Sequence, residues 1–158
     1  MTGRKQGVTL IELLVVVTIV GILSRIAIPK YRQIRTKAKA ASLVSKMQVV
    51  RGAAYMALEN NKLWPLDAAT GKMPTELKTL LPGSLSFAPE PGVSLDWRLT
   101  GMPKGDPAKA TSAATMGIGV STTDVALQAE LVRQLSVQPT LVTGGIVYWL
   151  IWGPTTKP

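Results

Sequence analysis

Among its 158 residues the chain has no cysteine, no histidine and a single phenylalanine, and its nine acids face 18 lysines and arginines. Without cysteine there is no disulfide framework, no thiol nucleophile and no lipid-attachment cysteine. Without histidine as well, the usual zinc ligands and the commonest acid–base catalyst are gone. A C-terminal region of this kind must be held by packing alone. No G-x-S-x-G elbow is present, and Gly117-Ile118-Gly119 and Gly144-Gly145 lack the lysine and strand–helix context of a phosphate loop. Asp96, Asp106, Asp124 and Glu130 are dispersed rather than spaced like a calcium loop. The reading is therefore no catalytic residues, no metal ligands and no cofactor.

The excess of cations, +9 formally, is concentrated. Arg25, Lys30, Arg32, Arg35, Lys37, Lys39, Lys46 and Arg51 follow one another without an intervening acid. Two readings stand. One is a surface for polyanion, nucleic acid or anionic lipid, with Lys30, Arg32, Arg35, Lys37 and Lys39 as its contacts. The other is a solvated helix face that meets acids on neighbouring copies.

Upstream of this stretch the pattern is sharper. Arg4 and Lys5 precede Gly7, and from Val8 to Ile28 the only charges are Glu12 and Arg25. About 20 apolar residues suffice to cross a bilayer, whereas a secretory h-region has about 7 to 15. A retained anchor is expected. Glu12 then needs compensation, because an acid near a bilayer centre costs roughly 2.5 to 3.5 kcal/mol. Helical periodicity continues through Tyr31, Ile34, Ala38, Ala41, Val44, Met47, Val50, Ala54 and Leu58, predicting one helix from Val8 to Leu63. Gly21 and Pro29 weaken it, since proline leaves the Arg25 carbonyl without its helical donor.

Gly7-Val8-Thr9-Leu10-Ile11-Glu12-Leu13-Leu14, with Gly21 and Pro29 downstream, resembles the N-terminal segment of type IV pilins and type II secretion pseudopilins. Val8 stands where phenylalanine is usual, and Ser24-Arg25 replaces a pair that is usually small and apolar. The resemblance implies cleavage after Gly7 by a prepilin peptidase, methylation of the Val8 amine, and an assembly role for Glu12. It also implies inner-membrane residence, an assembly platform, and identical or related pilin subunits as partners, with the globular part outside the cytoplasm. The positive-inside rule points the other way, because most Lys and Arg follow the span.

The implied fold is α+β and pilin-like, an antiparallel sheet packed on the second half of a long helix. Its parts are a leader (1–7), a membrane or filament-core half-helix (8–29) and a globular region (30–158). The globular region divides into helix 30–63, loops 64–92 and sheet 93–152. Five prolines mark residues 65–92 as loop, apart from a short helix at Thr75–Leu81. Val93–Leu99 alternates as a strand, 101–113 is a hairpin loop or mobile excursion, and Thr115–Ser121 is a second strand. Thr123–Leu135 has helical spacing with Thr123 or Asp124 as cap, and Thr140–Trp152 is the most β-prone run. Tyr148, Trp149 and Trp152 form either a stacking platform or core. The function expected is a filament subunit; the alternative is a non-polymerising anchored protein whose basic stem binds DNA or another anionic polymer.

Overall fold

The computed structural model describes residues 9–153. It divides after Thr36 into two units. The first is the apolar half of α1, a helix that runs Leu10–Asn61 in all. Almost every side chain of this half is exposed, including Ile11, Val15, Ile22 and Ile26. An exposed run of such residues is costly in water, and α1 is the one helix among the described residues long and apolar enough to cross a membrane. Its only hydroxyl beyond the first turn and before Ser24, that of Thr18, donates back to the Leu14 and Val15 carbonyls at 2.6 and 2.9 Å, so it carries no unmet donor into an apolar medium. The helix is continuous through Gly21 and Pro29.

The second unit joins the rest of α1 to a four-stranded antiparallel sheet. Its strands are β1 (Val93–Thr100), β2 (Thr115–Thr122), β3 (Thr140–Thr143) and β4 (Ile146–Trp152), in spatial order β1-β2-β4-β3. Strand alternation sends Leu95, Trp97, Met116, Ile118, Val120, Val147 and Trp149 into one core with Ala40, Leu43, Met47, Val50, Ala54 and Ala57 of α1. That line shares Met47, Val50 and Ala54 with the expected one and departs from it elsewhere. Tyr31 and Ile34 are exposed, as are Ala38 and Ala41, while Val44 and Leu58 are half-buried. Alanines lie on several faces of this helix, so a stripe drawn by hydrophobicity alone can be rotated by a residue; the sheet selects the face.

Helix α2 (Val125–Gln134) is capped by Asp124, whose side chain accepts from the Ala126 and Leu127 amides. Leu127, Leu131 and Leu135 enter the core, but Val125, counted with them by spacing, is 76% exposed. Residues 140–152 form two strands rather than one. Gly144 and Gly145 turn them with φ of +56° and +76°, conformations that favour glycine and match the twist of a two-residue hairpin.

The loops are structural as well. Only Thr75–Leu77 is helical, as a single 3-10 turn, yet Trp64, Leu77, Leu81 and Phe87 are buried. Residues 101–113 are not a loose excursion: two 3-10 turns fill them, and the Trp64 amide donates to the Gly105 carbonyl at 2.8 Å. The outer edge of β1 is occupied. Gly71 donates to the Leu95 carbonyl, Leu95 to the Phe87 carbonyl, and Leu99 to an Asp67 carboxyl oxygen.

On the face of β2 away from the core stand Gly117 and Gly119. A β-carbon on Gly119 would fall 2.7 Å from the Tyr148 ring. Gly119→Ala should therefore cost about 1–3 kcal/mol through overpacking. Gly52→Ala, on an open helix position with nothing within 4 Å, should instead add about 0.5–1 kcal/mol. Urea unfolding followed by tryptophan fluorescence reads both; equal effects would contradict the packing described.

Candidate functional site

The first turn of α1 is built around one carboxyl group. Glu12 Oε2 accepts from the Thr9 amide and from the Thr9 hydroxyl, both at 2.8 Å, and the Glu12 amide donates to Thr9 Oγ1 at 3.3 Å. This reciprocal pairing is a capping box, which satisfies amides that the helix itself leaves orphaned. The Thr-x-x-Glu spacing that encodes it is legible in the sequence, although the expectation for Glu12 rested on its charge. Both donors use Oε2; Oε1 has no hydrogen-bond partner among the described residues. Gly7 and Val8, the expected cleavage and methylation positions, lie outside the described residues.

The basic residues separate by environment. Lys39 is half-buried and pairs with Glu90 at 2.7 Å. Hydrogen bonds from Arg133 and Gln134 hold the Glu130 carboxyl low, with a smaller electrostatic contribution from Lys37. Arg51 is stacked 4.8 Å over the Trp149 ring. Arg25, Lys30, Arg32 and Arg35 are exposed and have no acidic partner among the described residues.

The description "prokaryotic N-terminal methylation motif" is that of the family whose model matches residues 2–24. The N-terminal segment carries this motif and is similar to that of type IV pilins. A fimbrial protein of Pseudomonas aeruginosa is 40% identical over 58 residues, 37% of this chain and 38% of that protein. The type IV major pilin protein PilE of Neisseria gonorrhoeae is 33% identical over 67 residues, 42% of this chain and 40% of PilE. The matches thus span about two fifths of those relatives' own length. No solved structure matches the chain. The long apolar helix and four-stranded antiparallel sheet make the α+β, pilin-like architecture that the segment implies.

The head behind this pilin-type segment carries one buried polar cluster. Asp96, Gly119 and Tyr148 lie side by side on β1, β2 and β4. Because Gly119 has no side chain, the Tyr148 hydroxyl reaches across β2 and donates to Asp96, which is fully buried. Thr70 donates to the other Asp96 oxygen at 2.7 Å, and the Arg98 guanidinium lies 3.5 Å away. Beside it a groove of about 310 Å³ is lined by Arg98, Gly117, Leu141, Thr143, Tyr148 and Leu150. The aromatic platform is absent as such: Tyr148 and Trp149 are buried and Trp152 packs at the core's margin. Among the described residues no three His, Cys, Asp or Glu side chains gather as metal ligands.

Burial, then the neighbouring Asp96 carboxyl, pushes the Tyr148 phenol from its ordinary value of 10.0 up to about 12, with Arg98 opposing. A raised pKa means that the folded state holds this proton more tightly than the unfolded state. Its stabilising contribution is complete below pH 10 and disappears as pH rises through about 12. Tyr148→Phe should lower stability by about 1–3 kcal/mol, by leaving a buried acceptor short of a donor. It should also flatten that alkaline loss. Urea midpoints measured across the alkaline range test this; an unchanged alkaline slope in the phenylalanine variant would refute it.

Proposed function

We propose that this chain is a structural subunit of a type IV pilus-like filament, with a secretion pseudopilus as the related form of the same assembly. A prepilin peptidase removes residues 1–7, Val8 becomes a methylated terminus, and residues 8–29 hold the subunit in the inner membrane before packing as the filament core. The head faces away from the cytoplasm, against the simple count of positive charges. Identical or related pilin subunits and an inner-membrane assembly platform are its partners. The observation that carries this reading is the methylation motif over residues 2–24, coinciding with the start of an exposed apolar helix. Intact mass and N-terminal sequencing of membrane-extracted protein should give a chain beginning at methylated Val8. A mature protein that retains Met1, or begins near Ala27, would remove it.

Glu12 has two tasks in this scheme, one on each oxygen. Oε2 caps its own helix; Oε1 is left for the terminal amine of a neighbouring subunit. Capping alone supplies about 0.5–2 kcal/mol, less than the roughly 2.5 to 3.5 kcal/mol cost of a carboxylate in the bilayer. A cation in the same low-dielectric layer attracts it far more strongly than in water. The resulting pair sets the axial register of each incoming subunit. Two variants separate the tasks, because glutamine serves in a capping box as glutamate does. Glu12→Ala and Glu12→Gln should both reach normal membrane levels and full processing, and both should yield few or no filaments by electron microscopy. Filaments from the glutamine variant at wild-type yield would assign Glu12 to capping alone.

A further inference from the structure

The apolar run of α1 ends at Ile28, and the cations that surround this point pair with no acid among the described residues. Arg25 lies within the run; Lys30, Arg32 and Arg35 follow it directly. All four are exposed on a continuous helix, and no described acid pairs with any of them. At about 1.5 Å per residue, Arg25 sits some 4.5 Å before the end of the run, and Lys30, Arg32 and Arg35 sit about 3, 6 and 10 Å beyond it. The headgroup layer on one side of a bilayer is about 5–8 Å deep. A long arginine side chain snorkels from just inside the hydrocarbon to its boundary. Lys30 and Arg32 therefore fall within the headgroups, Arg25 reaches up to them, and Arg35 lies within a screening length of about 8 Å.

We propose that Arg25, Lys30, Arg32 and Arg35 form a collar that binds the phosphates of anionic phospholipids at the outer boundary of the span. The assignment rests on the membrane-anchored reading of α1. Its angular arrangement distinguishes lipid from a duplex. At about 100° per residue, Lys30 stands roughly 160° around the helix from Arg32 and about 140° from Arg25 and Arg35. A nucleic-acid duplex laid along the helix touches one face and leaves Lys30 behind. A headgroup layer surrounds the helix and meets all four. Three of the four are arginines, whose planar fork pairs with two phosphate oxygens at once. The collar also gives Arg25 a use, where a charge in an apolar run would otherwise be a cost without return. In this position it fixes the depth at which the subunit waits before assembly.

The test uses the full chain, inserted into vesicles of equal phosphatidylcholine and phosphatidylglycerol and then excised with its surrounding lipid in polymer discs. Each basic residue near an anionic surface contributes on the order of a fivefold preference. The ratio of phosphatidylglycerol to phosphatidylcholine around the wild-type protein should rise from parity in the bulk to about fivefold by the same reckoning. The enrichment should vanish when salt is raised from about 0.01 M to about 1 M, where the screening length falls from about 30 to 3 Å. The variant Arg25→Gln/Lys30→Gln/Arg32→Gln/Arg35→Gln, chosen because glutamine is nearly as good a helix former, should show the bulk ratio. A bulk ratio around the wild type overturns the proposal, as does enrichment that survives the four substitutions. Short duplex DNA is offered to the same discs; capture that depends on these residues, without phosphatidylglycerol enrichment, overturns it in favour of a polyanion site. Insertion into pure phosphatidylcholine vesicles, resistant to alkaline extraction, tests the anchor separately. Failure there removes the anchored reading and the collar with it, whereas insertion without enrichment removes the collar alone.

Discussion

The inner face of the sheet can leave water only against the second half of α1. β1, β2 and β4 turn Leu95, Trp97, Met116, Ile118, Val120 and Val147 to one side, every one of them inaccessible to solvent. A sheet must cover such a face, and α2, with ten residues, is too short to do so alone. The cover is the line from Ala40 to Ala57, in which four of the seven buried side chains are alanine. Small side chains on the helix meet a sheet that brings the bulk, Trp97 and Met116 among it. The helix supplies shape and the strands supply volume, so the head and this part of the helix are one cooperative structure.

The other end of α1 is exposed, apolar and long enough to cross a membrane. In lipid, every backbone polar group must find its partner inside the chain or on another protein, which makes the first turn the weak point of any spanning helix. Thr9 and Glu12 close it with two contacts to one oxygen and one in return. In such a box the third helical position takes glutamate or glutamine. Glu12 at that position reaches back with one oxygen, Oε2, and its Oε1 has no hydrogen-bond partner among the described residues.

Most of the architecture could be read from local pattern, and the exceptions have physical causes. The strand alternation of Val93–Leu99 and the Asp124 cap are local, and they appear where the spacing put them. The line of contact along α1 holds at Met47, Val50 and Ala54 and is displaced upstream, because Ala38, Ala40 and Ala41 are equally apolar and only the sheet decides among them. Gly144-Gly145, which lacks the context of a phosphate loop, is a hairpin turn; its meaning depended on whether the flanking residues pair. The Asp96–Tyr148 contact joins residues 52 apart across an intervening strand. Its one local trace is Gly119, a glycine in a strand that otherwise packs tightly, which signals a close approach without naming the visitor. The Thr9–Glu12 box, by contrast, lay in four adjacent residues.

The sealed rim of β1 bears on how heads can meet. Strand addition requires a row of free amides and carbonyls along an edge. On β1 the amides of Leu95 and Leu99 and the carbonyl of Leu95 are already engaged by the chain that leads into the sheet. The opposite edge, β3, is four residues long and follows directly on Pro139, which has no amide to give. Neither rim offers a long template. Strand addition at either rim is thereby hindered, and in the proposed filament recognition between heads would fall to side chains, which can be changed one at a time without unravelling the strands that carry them.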